Sequence, residues 1–268
     1  MTTVERGRGD PLVVIPGIQG RWAYIQPMVE ALARSWRVIT FDLCDEPSSG
    51  ALESACVLDS FTAQVETALD QHGLSRAAIC GVSFGGVVAL RFAAERPRRT
   101  SALVLVSTPG PQWHLKRRHE IYARWPLLFG PMFLAEAPAR LRAELAAAFP
   151  NPRDRWRFVR FQLRTLLTAP LSVRRMAARA RLIGEGTRLA DCAAIAVPTL
   201  VVHGEPSLDH VVDAHGTAEY TALILGAQRA IIERTGHLGS ITRPRELAAI
   251  LQRFMQTLQQ QSGHGSAA

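Results

Sequence analysis

Three short stretches carry residue types that can do chemistry together. The first is Gly81-Val82-Ser83-Phe84-Gly85-Gly86. A serine with glycines two positions to either side suits a sharp strand-to-helix turn, because only glycine leaves room for backbone packed that tightly. Such a turn holds the serine hydroxyl beyond the end of a strand. It also aims the N–H groups of a helix start at any negative charge that develops there. The second stretch is Thr235-Gly236-His237-Leu238-Gly239. Histidine titrates near neutrality and can take a serine proton. A lone loop histidine is usually idle, but this one lies late in the chain, where the order Ser…Asp…His places a base. The third runs from Val202 to Val212 and offers Glu205 and Asp209, with Asp213 just beyond. Any of the three could accept the imidazole N–H and fix its tautomer.

That chemistry needs a scaffold which ends a strand at each stretch, and the sequence supplies one. Leu12–Pro16, Arg37–Asp42, Ala77–Cys80 and Ala102–Val106 are apolar runs of strand length. Helical spacing separates them over Tyr24–Arg34, Phe84–Glu95 and a segment ending at His72, with Asp59-Ser60 as its expected cap and Gly73 as its stop. A Pro-Ser-Ser-Gly loop is expected at residues 47–50. Strands alternating with helices predict right-handed crossovers, a mostly parallel sheet and a ligand site beyond the carboxyl ends of its strands. The alternation stops at Pro109. Only helical segments such as Ala139–Phe149 and Arg155–Leu167 follow, until strand patterning returns at Pro198–His203 and Ala230–Glu233. The expected organisation is an α/β core over 1–108 and 191–258, a helical cap over 109–190, and a disordered tail over 259–268 after a helix from Arg245 to about Leu258.

The glycine-flanked serine, the late Gly-His pair and the Gly-Glu…Asp-x-Val-Val loop together resemble the α/β-hydrolase superfamily. The likeness covers nearly the whole chain outside the inserted helices. It implies a mostly parallel sheet with helices on both faces, an inserted helical cap, and a triad of Ser83, Asp209 and His237. Asp209 is favoured because the family's acid commonly precedes an x-Val-Val or x-Val-Pro step, with Glu205 as the fallback. The resemblance also implies an oxyanion hole made by the amides of Phe84 and Ile18. The latter lies in the loop Pro16-Gly17-Ile18-Gln19-Gly20, whose Pro16 departs from the family's frequent His-Gly. The implied activity is hydrolysis of an apolar carboxylic ester through an acyl-serine, with no cofactor and no metal. Acyl transfer, lactone or thioester hydrolysis, carbon–carbon hydrolysis and a cofactor-free peroxidase-like reaction are alternatives on the same fold. A non-catalytic small-molecule binding protein is the alternative from another class.

Composition narrows the partners. The chain of 268 residues has a net charge of +8, with arginines and lysines concentrated from His114 to Arg188. A basic segment attracts nucleic acid, anionic lipid or acidic substrates, but no nucleic-acid motif accompanies it, and a solvated helical face is the expectation. His203, His210 and His215 beside Asp209 and Asp213 match no helical ligand spacing for a metal. Cys44, Cys56, Cys80 and Cys192 lie far apart without a CxxC pair, as expected of reduced thiols. Residues 1–10 lack an apolar signal segment, and no apolar run reaches membrane-span length. The expected compartment is therefore the cytoplasm. The aromatic residues Trp113, Tyr122, Trp125, Phe129, Phe133, Trp156, Phe158 and Phe161 are expected to build the cap, some of them above Ser83.

Overall fold

The computed structural model describes residues 1–44, 54–186 and 189–265. Among these, seven strands form one sheet: β1 (Thr3–Arg6), β2 (Pro11–Ile15), β3 (Arg37–Phe41), β4 (Ala77–Val82), β5 (Thr100–Val106), β6 (Thr199–Gly204) and β7 (Gln228–Ile232). Their spatial order is β1-β3-β2-β4-β5-β6-β7. Every neighbouring pair is parallel except β1 with β3. The fold is an α/β-hydrolase fold, as expected from the sequence. β1 was not expected. Its four residues Thr-Val-Glu-Arg are partly exposed at the sheet edge, so no buried periodicity marks them. The Glu5–Arg37 ion pair at 2.9 Å fastens that edge.

Period-two alternation divides the strands' side chains between two apolar layers. Val13, Ile15, Ile39, Phe41 and Ile79 face α2 (Ser54–Gln71) and α3 (Phe84–Glu95). Leu12, Val14, Val38, Ala78 and Cys80 face α1 (Gln26–Leu32) and the last helix, Pro244–Gly265. Each large aliphatic or aromatic side chain so buried is worth roughly 1.5–3 kcal/mol. α2 begins at Ser54, so Asp59 and Ser60 lie inside it and do not cap it. Ser60 instead bonds back to the Val57 carbonyl. The expected loop at residues 47–50 lies outside the described residues. Cys80 and Cys192 are buried free thiols and Cys44 is exposed. Burial pushes the Cys80 thiol up to about 12 and is the main cause of Cys192 rising to about 11.

Between β5 and β6 every described element is helical: α4 (Arg117–Arg124), α5 (Pro126–Ala135), α6 (Ala137–Ala148), α7 (Pro152–Thr168), α8 (Val173–Gly186) and α9 (Leu189–Ala193). α8 packs on α2 and α3, and its Leu182 and Ile183 join the core layer of those helices. Arg91 of α3 pairs with Asp59 of α2 and Asp191 of α9, tying the far end of the insertion to the core. After β6 come α10 (Ala214–Leu223), α11 (Gly239–Thr242) and α12 (Pro244–Gly265). The helix α12 continues through Gly265. The disordered tail expected from Gln259 is thus corrected to helix as far as residue 265, because this polar stretch extends an amphipathic helix already anchored by Leu247, Leu251 and Phe254. No helix among the described residues is long and apolar enough to cross a membrane.

Candidate active site

Ser83 sits between β4 and α3 with φ 53° and ψ −119°. An L-residue reaches that region only under strain, typically of order 1–3 kcal/mol, and needs surroundings that enforce it. The neighbours do so. A Cβ on Gly81 would stand 2.1 Å from the Gly85 carbonyl oxygen, and one on Gly85 would stand 2.4 Å from that of Ile15. Two backbone bonds close the turn, Ser83 N–H to the Val106 carbonyl (2.8 Å) and Gly86 N–H to the Ser83 carbonyl (2.9 Å). The serine is only 9% exposed.

The loop after β2 lies against this turn. A Cβ built on Gly17 would be 3.5 Å from the Ser83 Cβ, so the Pro16–Gly20 loop and the serine are in van der Waals reach. Gly20 N–H closes the loop onto the Gly17 carbonyl at 2.8 Å. Ile18 and Phe84, the residues expected to supply oxyanion donors, therefore belong to two segments that meet beside Ser83.

His237 follows β7, on the loop between that strand and α11. Its Nδ1 stands 3.5 Å from Asp209 Oδ2. That is an ion-pair contact, longer than an ordinary N–H···O bond and without good hydrogen-bond alignment; contacts of this kind often tighten only around substrate. Asp209 also accepts the N–H groups of Val211 (3.0 Å) and Val212 (2.8 Å) on Oδ1, which aims the carboxylate. The other two candidate acids are engaged elsewhere. Glu205 accepts the Arg234 N–H at 2.6 Å, and Asp213 caps α10 by accepting from the His215 N–H. Close approach of two glycines brings the acid and histidine loops together: a Cβ on Gly204 would lie 2.3 Å from the Gly236 carbonyl oxygen.

The electrostatics follow from this packing. Burial disfavours the His237 imidazolium, but the adjacent Asp209 carboxylate, with Glu144 adding to it, outweighs that burial, and its pKa is raised. Burial likewise opposes the Asp209 carboxylate. His237 and the Val211 and Val212 amides outweigh that burial and hold its pKa below the ordinary value. His203 is buried, and burial lowers its pKa. Its Nδ1 meets the Gly204 carbonyl at 2.7 Å, so it is read as a neutral donor. Among the described residues no group of three or more His, Cys, Asp or Glu is placed to hold a metal ion.

Residues 10–244 match the family defined by the alpha/beta hydrolase fold. The chain belongs to the α/β-hydrolase family. This hydrolase is 26% identical over 254 residues to the pimeloyl-[acyl-carrier protein] methyl ester esterase of Nitrosomonas europaea, covering 91% of this chain and 94% of that one. Its fold is similar to that of the enol-lactonase from Burkholderia xenovorans LB400, with TM-score 0.75, 20% identity, and coverage of 95% and 96% of the two chains. A thermophilic esterase from Thermogutta terrifontis is similar at TM-score 0.73 and 21% identity, with coverage of 96% and 93%.

Sequence reasoning missed two residues near this site, Glu144 on α6 and Arg179 on α8. Both are buried, at 1% and 2% exposure. Nothing in the sequence marks them, because Glu in an alanine-rich helix and Arg among other arginines read as solvated. Of the expected cap aromatics, Tyr122 is buried and stacks on Phe129 at 5.6 Å, whereas Trp125 and Trp156 are exposed to water. Two surface depressions lie away from Ser83, one along Thr242–Glu246 and one between α4 and α8 at His114, Arg124 and Arg181.

Proposed function

We propose that this α/β-hydrolase cleaves carboxylic esters through an acyl-serine on Ser83. The observation that carries the reading is the Asp209–His237 contact of 3.5 Å in a chain whose Ser83 occupies a strained turn at the head of α3. With Nδ1 turned to Asp209, Nε2 is the nitrogen left to take the Ser83 proton. Ser83 Oγ attacks the ester carbonyl, and the amides of Ile18 and Phe84 hold the oxyanion that forms. Collapse breaks the ester C–O bond, and His237 returns the proton to the leaving alkoxide. Water, deprotonated by the same histidine, then attacks the acyl-serine and releases the acid and free Ser83. Asp209 stabilises the imidazolium in both halves.

Esters are favoured because a similar protein of nearly the same length is a methyl ester esterase. An apolar acyl or alcohol group fits the largely hydrophobic pockets typical of such sites. The test is a fluorophosphonate probe read by intact mass and peptide mapping, followed by a chain-length series of p-nitrophenyl esters. The expected result is one adduct at Ser83 and turnover of the esters. A protein that binds ligands but neither labels nor turns over would be a non-catalytic binding protein.

A further inference from the structure

The helical insertion sends two buried side chains of opposite charge to the loops that carry the proposed catalytic groups. The first is Glu144 of α6. Its Oε1 accepts from the Thr235 hydroxyl (2.9 Å), the Gly236 N–H (2.8 Å) and the Leu238 N–H (2.7 Å). These residues bracket His237 on both sides. Without Glu144, the buried Gly236 N–H and the part-buried Leu238 N–H would lose this acceptor. Its second oxygen, Oε2, is buried and has no hydrogen-bond partner among the described residues. All the bonding is therefore directed at one loop.

The second is Arg179 of α8. It donates from Nη1 to the Ile18 carbonyl at 2.8 Å and from Nη2 to the Leu43 carbonyl at 3.3 Å. Gly20, with φ +72°, leaves the space it fills: a Cβ there would lie 1.9 Å from Nη1. Arg179 thus fixes the peptide of the loop whose amide is assigned to the oxyanion. Both side chains bond to the loops beside Ser83 and His237, so their effect passes through the loops they hold.

Resting on the reading of Ser83, Asp209 and His237 as a triad, we propose that Glu144 and Arg179 are positioning residues through which the helical insertion sets the base loop and the oxyanion loop. Burial raises the Glu144 carboxyl above the ordinary range, while its three donors pull it back. Asp209, at 3.5 Å, and then Glu144 are the charges that favour the His237 imidazolium.

The test uses the full chain with p-nitrophenyl acetate and a fluorophosphonate. Glu144→Ala should lower kcat about 10- to 100-fold, the loss expected of a displaced catalytic group, with KM changed less than about twofold. Glu144→Gln keeps an acceptor of the same shape and should return kcat to within about threefold of wild type. Arg179→Lys keeps the charge but loses the planar fork, and should slow both kcat and Ser83 labelling by about tenfold. Circular dichroism and a cooperative melt identify folded variants. If Glu144→Ala does not fold, Glu144→Asp, a methylene short of the loop, carries the same expectation of a kcat loss at constant KM. Wild-type kcat in a folded Glu144→Ala or Glu144→Asp overturns the inference for the base loop, as does a Glu144→Gln variant no faster than Glu144→Ala. Wild-type kcat and labelling in Arg179→Lys overturn it for the oxyanion loop. Activity in Ser83→Ala would sink the triad reading itself. An inactive Ser83→Ala beside unimpaired Glu144 and Arg179 variants sinks only this inference.

Discussion

Around Ser83 the α/β core is fixed by backbone touching backbone. Gly81, Gly85, Gly204 and Gly236 all stand where an added Cβ would come within 2.5 Å of a carbonyl oxygen. The insertion between β5 and β6 is held differently. Its surface leaves Leu128 at 70% and Leu167 at 83% exposure, and the arginines of α7 such as Arg153, Arg157, Arg160 and Arg164 face water. Yet the same insertion drives Glu144 and Arg179 into the interior. The contrast sets side by side two ways to hold a loop: local backbone packing at glycines, and a long-range clamp from one buried side chain.

The most severe way to break the core side of this comparison is to remove the nucleophile. Ser83→Ala should leave the fold intact and abolish ester turnover, a loss on the order of 10⁶. Steady-state kinetics on protein free of other esterases checks it, and near wild-type rates would exclude an acyl-serine on Ser83.

Next in size is the acid. Asp209→Asn should reduce kcat by roughly 10⁴, because an amide favours the wrong imidazole tautomer. Glu205→Gln should cost far less, since it retains an acceptor for the Arg234 N–H. A reversal of the two results would move the acid to Glu205 and leave the 3.5 Å contact to Asp209 unexplained.

The pH profile sharpens the same point with a smaller effect. The proposed base, His237, can take a proton only when neutral, so the rate on a chemistry-limited ester should rise with pH through its ionisation. Asp209 and Glu144 favour the imidazolium, which raises that pKa, so the midpoint should lie above the ordinary histidine value of about 6.5. The shift also has a stability consequence. A histidine with a raised folded-state pKa contributes stability that is complete below its unfolded pKa and is lost as pH rises through the folded one. A flat rate profile between pH 5 and 8 would count against His237 as the base.

The smallest expected effect concerns the insertion's charge. Sixteen lysines and arginines against five carboxylates lie from His114 to Arg188. With its α7 arginines solvated, this charge should act as a surface, and raising the salt tenfold should change kcat/KM for anionic and neutral esters alike, by less than about twofold. A steep fall confined to anionic esters would make the insertion an electrostatic guide for substrate.

How much of this was legible before the structure follows from where each signal lives. The strands β2 to β6 were readable because buried parallel strands are runs of apolar residues, and the largely exposed β7 was marked only by its short Ala230-Ile231-Ile232 run. Ser83 was readable because its turn requires glycines at fixed offsets. The edge strand β1 carried no such signal, and the start of α2 was misplaced because Asp59 and Ser60 are ordinary cap residues used inside a helix. Asp209 could be preferred to Glu205 only by resemblance, since both acids sit on one loop and either is within plausible reach of a histidine.

By itself, then, the sequence determined the α/β-hydrolase fold and the candidate nucleophile and base, because those depend on local backbone geometry and on periodicity. Only the tertiary structure decided which acid meets His237 and that Glu144 and Arg179 of the insertion are buried against the loops near Ser83. The physical reason is that a charged residue on a helix reads the same whether it faces water or a loop nearly a hundred residues away. Glu144 and Arg179 became distinguishable from their solvated neighbours only when the chain had folded around Thr235, Gly236, Leu238 and Ile18.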